Sequence, residues 1–460
     1  MINIYIPNNN IYERQYIIDI IFGEFLGLDY EVVIDDSDSW VMVLENGNRL
    51  IVKDNFFNRY SGDLEYLQNH NIPKEVKFVK SKFASEDDIV VIYGDEGEER
   101  VTVDSDIEKE PITNHQSLIT NIDIFASSFF MLTRWEEYVK NSRDKHNRFS
   151  AKDSLAYEFN FLHRPIVNEY IEYLWNMLIE LGIEQKREDR EYKLIMTHDV
   201  DFPLRYFSFS KLIDEIKEDL FKYKRYKFAL NKLKEYILIK FNFRKDVFNT
   251  FDYMLTKERE ANINSYYFFM GEGTDFRYDD NYDINSPFIK NLAIKILNYN
   301  NTIGIHPSFN TYNNPKQFTK EKQKIEEAFD IKIECGRQHY LRFEVPTTWQ
   351  IWEDNNMKWD STLSYADKEG FRCGVCYEFS VFNFLTRKKL KLKEKPLIVM
   401  EGSFFRYQSN VSMHEVEEEI YKLINIVKKY RGDFVFLWHN SAFTEENKIL
   451  YEKILKGAVK

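Results

Sequence analysis

Five of the chain's nine histidines lie beyond residue 190, and three of these, His198, His306 and His439, stand at the ends of short apolar runs. One histidine so placed is usually structural; several at the ends of successive strands are better explained by a shared site. In Thr197-His198-Asp199-Val200-Asp201, two carboxylates two residues apart can reach a common point, one holding a divalent cation and the other taking a proton. That division needs different environments, because a metal-bound carboxylate stays charged whereas a base must titrate. In Gly304-Ile305-His306-Pro307-Ser308, the proline stiffens the turn and biases His306 towards extended geometry, which suits a presented imidazole ligand. Leu437-Trp438-His439-Asn440 ends the last apolar run, where a histidine can protonate a leaving amine. A fourth histidine, His339, sits in Arg337-Gln338-His339-Tyr340-Leu341-Arg342-Phe343, read as another strand. Either flanking guanidinium there can pair with a carboxylate and hold it ionised. Loop aspartates also cap turns, and His439 could simply bond Asn440, so each motif taken alone is weak.

Residues this scattered meet only if the elements carrying them end on one edge. The runs KLIMTHDVD, SYYFFMGEG, TIGIHPS, KWDSTL, LIVMEGS and DFVFLWHN each end in polar tips, and helical spacing at 285–297, 320–329 and 414–429 separates several of them. Strand, polar tip, helix, repeated, is the pattern of an α/β barrel or doubly wound sheet, whose site lies beyond the strands' C-terminal ends. Residues 190–460 are therefore read as one such unit, interrupted by a helical insertion at about 205–260. The insertion holds the best basic stretch, Lys222 through Arg225 and Lys227 to Lys234, read as a solvated helix face. Residues 1–110 read as a small α/β domain. It has a strand at 2–6, a helix at 12–25, a hairpin of 40–44 with 49–52 around Asn46-Gly47, and a strand at 89–93. Residues 111–189 read as a helical connection, with helices at 122–140 and 165–181, Pro165 suiting a first turn.

Composition narrows the partners. The chain has 460 residues, 63 basic against 75 acidic, for a net charge of −12, which argues against nucleic acid as a partner. Three cysteines cannot frame a protein of this size, and Cys373-Gly-Val-Cys376 without a second pair reads as two reduced core thiols. No run of 18 apolar residues occurs, so no membrane span is expected. The opening MINIYIPNNN has no basic segment before an apolar core, which points to a cytoplasmic protein.

In order, THDVDFP, HPSFN, LRFEVP, WDSTLSY and LWHN resemble the signature motifs of the polysaccharide deacetylase family, the nodulation-deacetylase (NodB) homology domain of carbohydrate esterases. The resemblance covers roughly residues 190–445 and implies a distorted (β/α) barrel that hydrolyses an N-acetyl or related acyl group from a sugar or glycan precursor, with a divalent metal. Carried over by position, Asp199 is the general base, Asp201 and His306 are metal ligands, and His439 is the general acid. Arg342, or after it Arg337, orients the base, and Asp360 falls in the fourth motif. Two departures stand out: Val200 separates the aspartates, so their roles could be exchanged, and Asn310 occupies the place of the family's second metal histidine. Asparagine is a poor zinc ligand, so His198, His339, Asp199 or a water is expected to complete the shell. Zinc is the expected ion, and such donors would also accept Co, Mn or Ni. The rival readings are a non-catalytic carbohydrate-binding or assembly protein on the same fold, and a glycosidase pairing Asp199 or Asp201 with Asp360 or Glu401. A cytoplasmic setting would favour a nucleotide- or lipid-linked precursor as substrate.

Overall fold

A computed structural model describes residues 1–459 except 96–99, 104–114, 208, 242, 280–281 and 409–410; the boundary expected at residue 110 lies outside the described residues. The chain is mixed α/β and divides into two compact units.

The first unit comprises Met1–Lys193, Phe343–Ile398 and Asn425–Phe434. Its N-terminal strand, Ile2–Pro7, buries alternate side chains and pairs parallel to Tyr30–Asp35 and antiparallel to Ser39–Val43. Ser39–Val43 continues into Arg49–Lys53 as the expected hairpin, with Gly47 at φ +82° supplying the turn. Gln116–Thr120 and Arg100–Val103 complete a six-stranded sheet. The helix read at 12–25 is α-helical over Ile11–Ile18 and continues as a π-helical stretch, Asp19–Phe25. Helix Ile124–Thr133 is buried along its whole length and is capped by Asp123, whose side chain accepts from the Ala126 N–H. Pro165 immediately precedes helix Ile166–Glu180. Burial pushes the Cys373 and Cys376 thiols up, and neither forms a disulfide.

The second unit comprises Leu194–Arg342, Val399–Ile424 and Val435–Lys460. Its strands run in the spatial order Cys335–Gly336, Thr302–Ile305, Tyr266–Phe269, Lys193–Val200, Asp433–Leu437 and Val399–Met400. Tyr266–Phe269 and Thr302–Ile305 read as short, mainly apolar runs because a parallel sheet covered on both faces leaves little room for polar residues. Lys193–Val200 instead runs four residues past its apolar start and carries Thr197, His198 and Asp199 inside the strand, all buried. Helices Pro287–Asn298, Pro315–Phe329 and Met413–Lys429 occupy the stretches where helical spacing predicts them. Two of these helices begin at proline after a capping side chain, Ser286 in one and Asn314 in the other.

Register decides what these strands deliver. Val200 pairs with Phe269, Phe269 with Ile305, and Ile305 with Gly336. The next residues, Asp201, Met270, His306 and Arg337, therefore leave the sheet along one edge. Met400 pairs with Leu437, so Glu401 and Trp438-His439 follow in the same way. Gly336 permits the tight pairing, since a Cβ there would lie 2.0 Å from the Ile305 carbonyl oxygen.

The segment 337–343 is not the strand expected of it. The strand ends at Gly336, and His339–Leu341 forms a single 3₁₀ turn with Tyr340 and Leu341 both in the left-handed region, at φ +61° and +54°. That reversal folds His339 back towards the strand ends.

Candidate metal centre

Asp201, His306 and His339 are buried, and one potential ligand atom from each lies within 4.8 Å of the others. The two imidazoles are held in the same sense. His306 Nδ1 faces the Arg337 carbonyl oxygen at 2.7 Å, and because a carbonyl only accepts, Nδ1 carries the proton. His339 Nδ1 likewise donates to Asp279 Oδ1 at 2.8 Å. Both Nε2 atoms are thereby aimed at Asp201 Oδ1, at 2.9 Å from His306 and 3.7 Å from His339.

The ligand atoms themselves are left over. Asp201 Oδ1 and His306 Nε2 are buried with no hydrogen-bond partner among the described residues, although they approach to 2.9 Å. Buried polar atoms are normally satisfied, so orphans facing one another call for a shared partner. Two imidazoles and a carboxylate form a three-ligand set suited to zinc with an open fourth position, and the carboxylate also admits harder ions. Burial pushes the Asp201 carboxyl upwards, but His339, His306 and His439 outweigh it and hold it well below the usual carboxylate range. Burial lowers the His306 imidazole, and Asp199 and Asp201 more than reverse this.

Around this set sit two further groups. Arg337 Nη1 donates to Asp199 Oδ1 at 3.0 Å and to Thr197 Oγ1 at 3.0 Å; Asp199 Oδ2 is 3.8 Å from His306 Nε2. His439 donates from Nδ1 to Glu401 Oε1 at 2.6 Å, and its Nε2 stands 3.5 Å from Asp201 Oδ2. Burial lowers the His439 imidazole, but Glu401 and then Asp201 raise it above its ordinary value.

Comparison with known proteins gives the following. A family model described as a family of unknown function (DUF7033) matches residues 2–182. No curated protein matches the sequence significantly. Among solved structures, a Mycobacterium smegmatis protein provisionally assigned as a polysaccharide deacetylase is similar at 11% identity and TM-score 0.37, over 58% of this chain and 85% of that one. A CE4 family pseudoenzyme from Bacillus anthracis is similar at 11% identity and TM-score 0.30, over 58% of this chain and 60% of that one. The Xyl-CE4 domain of a multidomain xylanase from the hindgut metagenome of Trinervitermes trinervoides follows at 9% identity and TM-score 0.25, over 58% and 81%.

Three residues singled out in the sequence, His198, Asn310 and Arg342, have other partners in the second unit, and a fourth, Asp360, belongs to the first unit. His198 has both ring nitrogens engaged, Nδ1 with the Trp438 carbonyl at 2.6 Å and Nε2 with Glu258 Oε1 at 2.7 Å. Strand alternation signals this: side chains two apart share a face, so Asp199 and Asp201 point one way and His198 the other. Asn310 is exposed, and its Oδ1 accepts from Arg342 at 3.3 Å. It is the imidazole of His339 that lies with Asp201 and His306. Arg342 is held between the rings of Phe309 and Tyr312, its guanidinium carbon 3.9 and 4.0 Å from their centroids, and donates to the Phe309 carbonyl. The guanidinium on Asp199 is that of Arg337. Asp360 belongs to the first unit, fully buried, where it accepts from Thr362 at 2.5 Å. Burial, and then Asp360, push the Glu394 carboxyl well up.

Asp279 went unread in the sequence because the polar loop GEGTDFRYDDNYD offers several equivalent aspartates. It is anchored by the Thr274, Asp275 and Phe309 N–H groups at 2.7, 2.9 and 2.9 Å. Burial raises its carboxyl, and His339 with these donors more than offsets the rise.

Proposed function

We propose that this chain is a metal-dependent hydrolase that removes an N-acetyl or related acyl group from a sugar or glycan precursor, on a distorted (β/α) barrel of the polysaccharide deacetylase type. The observation that carries the reading is the convergence of Asp201, His306 and His339, with both imidazoles proton-bound at Nδ1 and presenting Nε2 to one carboxylate oxygen. A bound divalent ion, zinc or one of Co, Mn and Ni, would polarise the amide carbonyl and acidify a water.

The protein's own groups divide the remaining work. Asp201, surrounded by three imidazoles and held ionised, is unsuited to picking up a proton, which leaves Asp199 as general base. Arg337 orients Asp199 through the 3.0 Å hydrogen bond and balances its charge in a buried setting. His439, kept protonated by Glu401, delivers its Nε2 proton to the departing amine.

Metal analysis of purified variants together with acetate release from N-acetylated chito-oligosaccharides tests the reading. His306→Ala and His339→Ala lose the metal, and Asn310→Ala keeps it. Asp199→Asn and His439→Ala keep the metal and lose about 10²–10⁴-fold in turnover. Full metal loading in His339→Ala, or no acetate release from metal-loaded wild type, overturns it.

A further inference from the structure

The helical insertion of the second unit carries a surface that the hydrolase reading does not use. Helix Tyr226–Lys240 has a single buried residue, Ala229, among its fifteen. One face packs on the preceding helix, Phe209–Lys217, and the turn after it. Tyr236 meets Tyr206 and Phe209, and Lys232 pairs with Glu215 at 2.9 Å and Asp219 at 2.8 Å.

A second face, turned away from these contacts, is apolar and exposed, and Phe228, 59% exposed, lies outside it. Successive residues of a helix turn by about 100°, so Tyr226, Leu230, Leu233, Ile237 and Phe241, spaced by four, three, four and four, fall on one stripe. All five are exposed, by between 39% and 67%, and Phe221 and Phe243 beyond the two ends are each 79% exposed. Scattered apolar residues on a surface are ordinary, whereas an unbroken exposed stripe marks a docking face. By the same rotation Lys227 and Lys234 border the stripe on one side and Lys240 on the other. None of the three makes an ion pair among the described residues.

Charge identifies what covers the stripe. Residues 219–245 contain nine basic and two acidic residues, in a chain whose net charge is −12. A second copy of this chain would bring the same excess of positive charge against itself. A nucleic acid would neutralise the lysines but leave Leu230, Leu233 and Ile237 in water. An anionic bilayer surface meets both requirements, since the apolar stripe sinks to the acyl boundary while lysines at its margins reach phosphates. Among the described residues no helix is long and apolar enough to cross a membrane. We infer that the insertion docks the protein on an anionic phospholipid surface through the outward face of helix Tyr226–Lys240. This is independent of the metal-centre reading.

Co-sedimentation of the full chain with phosphatidylcholine vesicles, with and without phosphatidylglycerol, tests it. Binding is expected only with the anionic lipid and weakens as salt rises. Lys227→Glu with Lys234→Glu weakens the partition by at least about 25-fold, at roughly fivefold for each lysine lost. Leu230→Ser with Ile237→Ser weakens it by about tenfold or more. Tyr226→Ser with Phe241→Ser probes the same stripe should that pair not fold, and metal content is unchanged in all three. The inference is overturned if the chain stays in the supernatant with anionic vesicles at low salt, or binds neutral vesicles equally. It also fails if the stripe variants bind like wild type. Retention of duplex DNA without vesicle binding, or a dimer split by the stripe variants, assigns the face to another partner and equally overturns it.

Discussion

Nδ1 of His339 donates to Oδ1 of Asp279 at 2.8 Å, so the ring's tautomer and orientation are set by a carboxylate 60 residues earlier in the chain. A carboxylate behind a ligating imidazole also raises its basicity, and loss of such a partner typically costs 10–100-fold in metal affinity. Asp279→Asn is therefore expected to weaken metal binding by about that factor while the protein stays folded. Competition with a chelator of known affinity measures it.

Arg337 serves two groups with two different parts. Its main-chain carbonyl fixes His306 and its guanidinium holds Asp199. Any residue supplies a carbonyl, so Arg337→Met keeps the metal while kcat falls by about 10²–10³-fold with little change in KM. Arg342→Met removes a stack on Phe309 and Tyr312 and leaves kcat within about fivefold of wild type. Steady-state kinetics with metal analysis separates the two, and the reverse pattern would restore Arg342 as the orienting residue.

Glu258 gathers His198 Nε2 and the hydroxyls of Tyr267 and Tyr451 at 2.7, 2.9 and 2.6 Å in a buried network. Burial alone would raise its carboxyl, but His198 and the hydroxyls hold it below the usual range. Glu258→Ala leaves those groups unpaired, and a loss of about 3–5 kcal/mol is expected in urea unfolding. Metal content per folded molecule is expected to be unchanged, because the proposed ligand set does not include His198.

In the first unit, Glu137 lies buried between Arg372 and Arg134. Burial would raise its carboxyl, but the two guanidinium groups outweigh this and bring it from 4.5 down to about 2. The folded value is the lower one, so the stabilisation is complete above pH 4.5 and is lost as pH falls towards 2. Glu137→Gln should cost about 3 kcal/mol at neutral pH. The gap between wild type and variant in urea midpoint should close as pH falls from 4.5 towards 2.

Much of the site was legible because its residues directly follow buried strands. Apolar runs such as Lys193–Met196 and Thr302–Ile305 are local signals, and Asp201, His306 and His439 stand at or just beyond the ends of such runs. Alternation within one strand even separates His198 from the aspartates beside it. The basic stretch from Lys222 to Lys234 was visible as charge, but its exposed apolar stripe depends on which face of the helix packs inward.

The segment from Arg337 to Arg342 was beyond sequence alone. Its two arginines are chemically equivalent in a string of letters, and only the reversal after Gly336 sends one to Asp199 and the other onto Phe309. The same reversal brings His339 beside Asp201 and His306, a place for which the sequence offered His198, His339, Asp199 or a water because Asn310 is a poor ligand. Sequence by itself determined the residue types, the α/β class and the order in which reactive tips occur, because hydrophobic periodicity is written over a few neighbouring residues. Tertiary structure decided which lone pairs meet, because that depends on the register between strands and on angles that close only when distant segments pack.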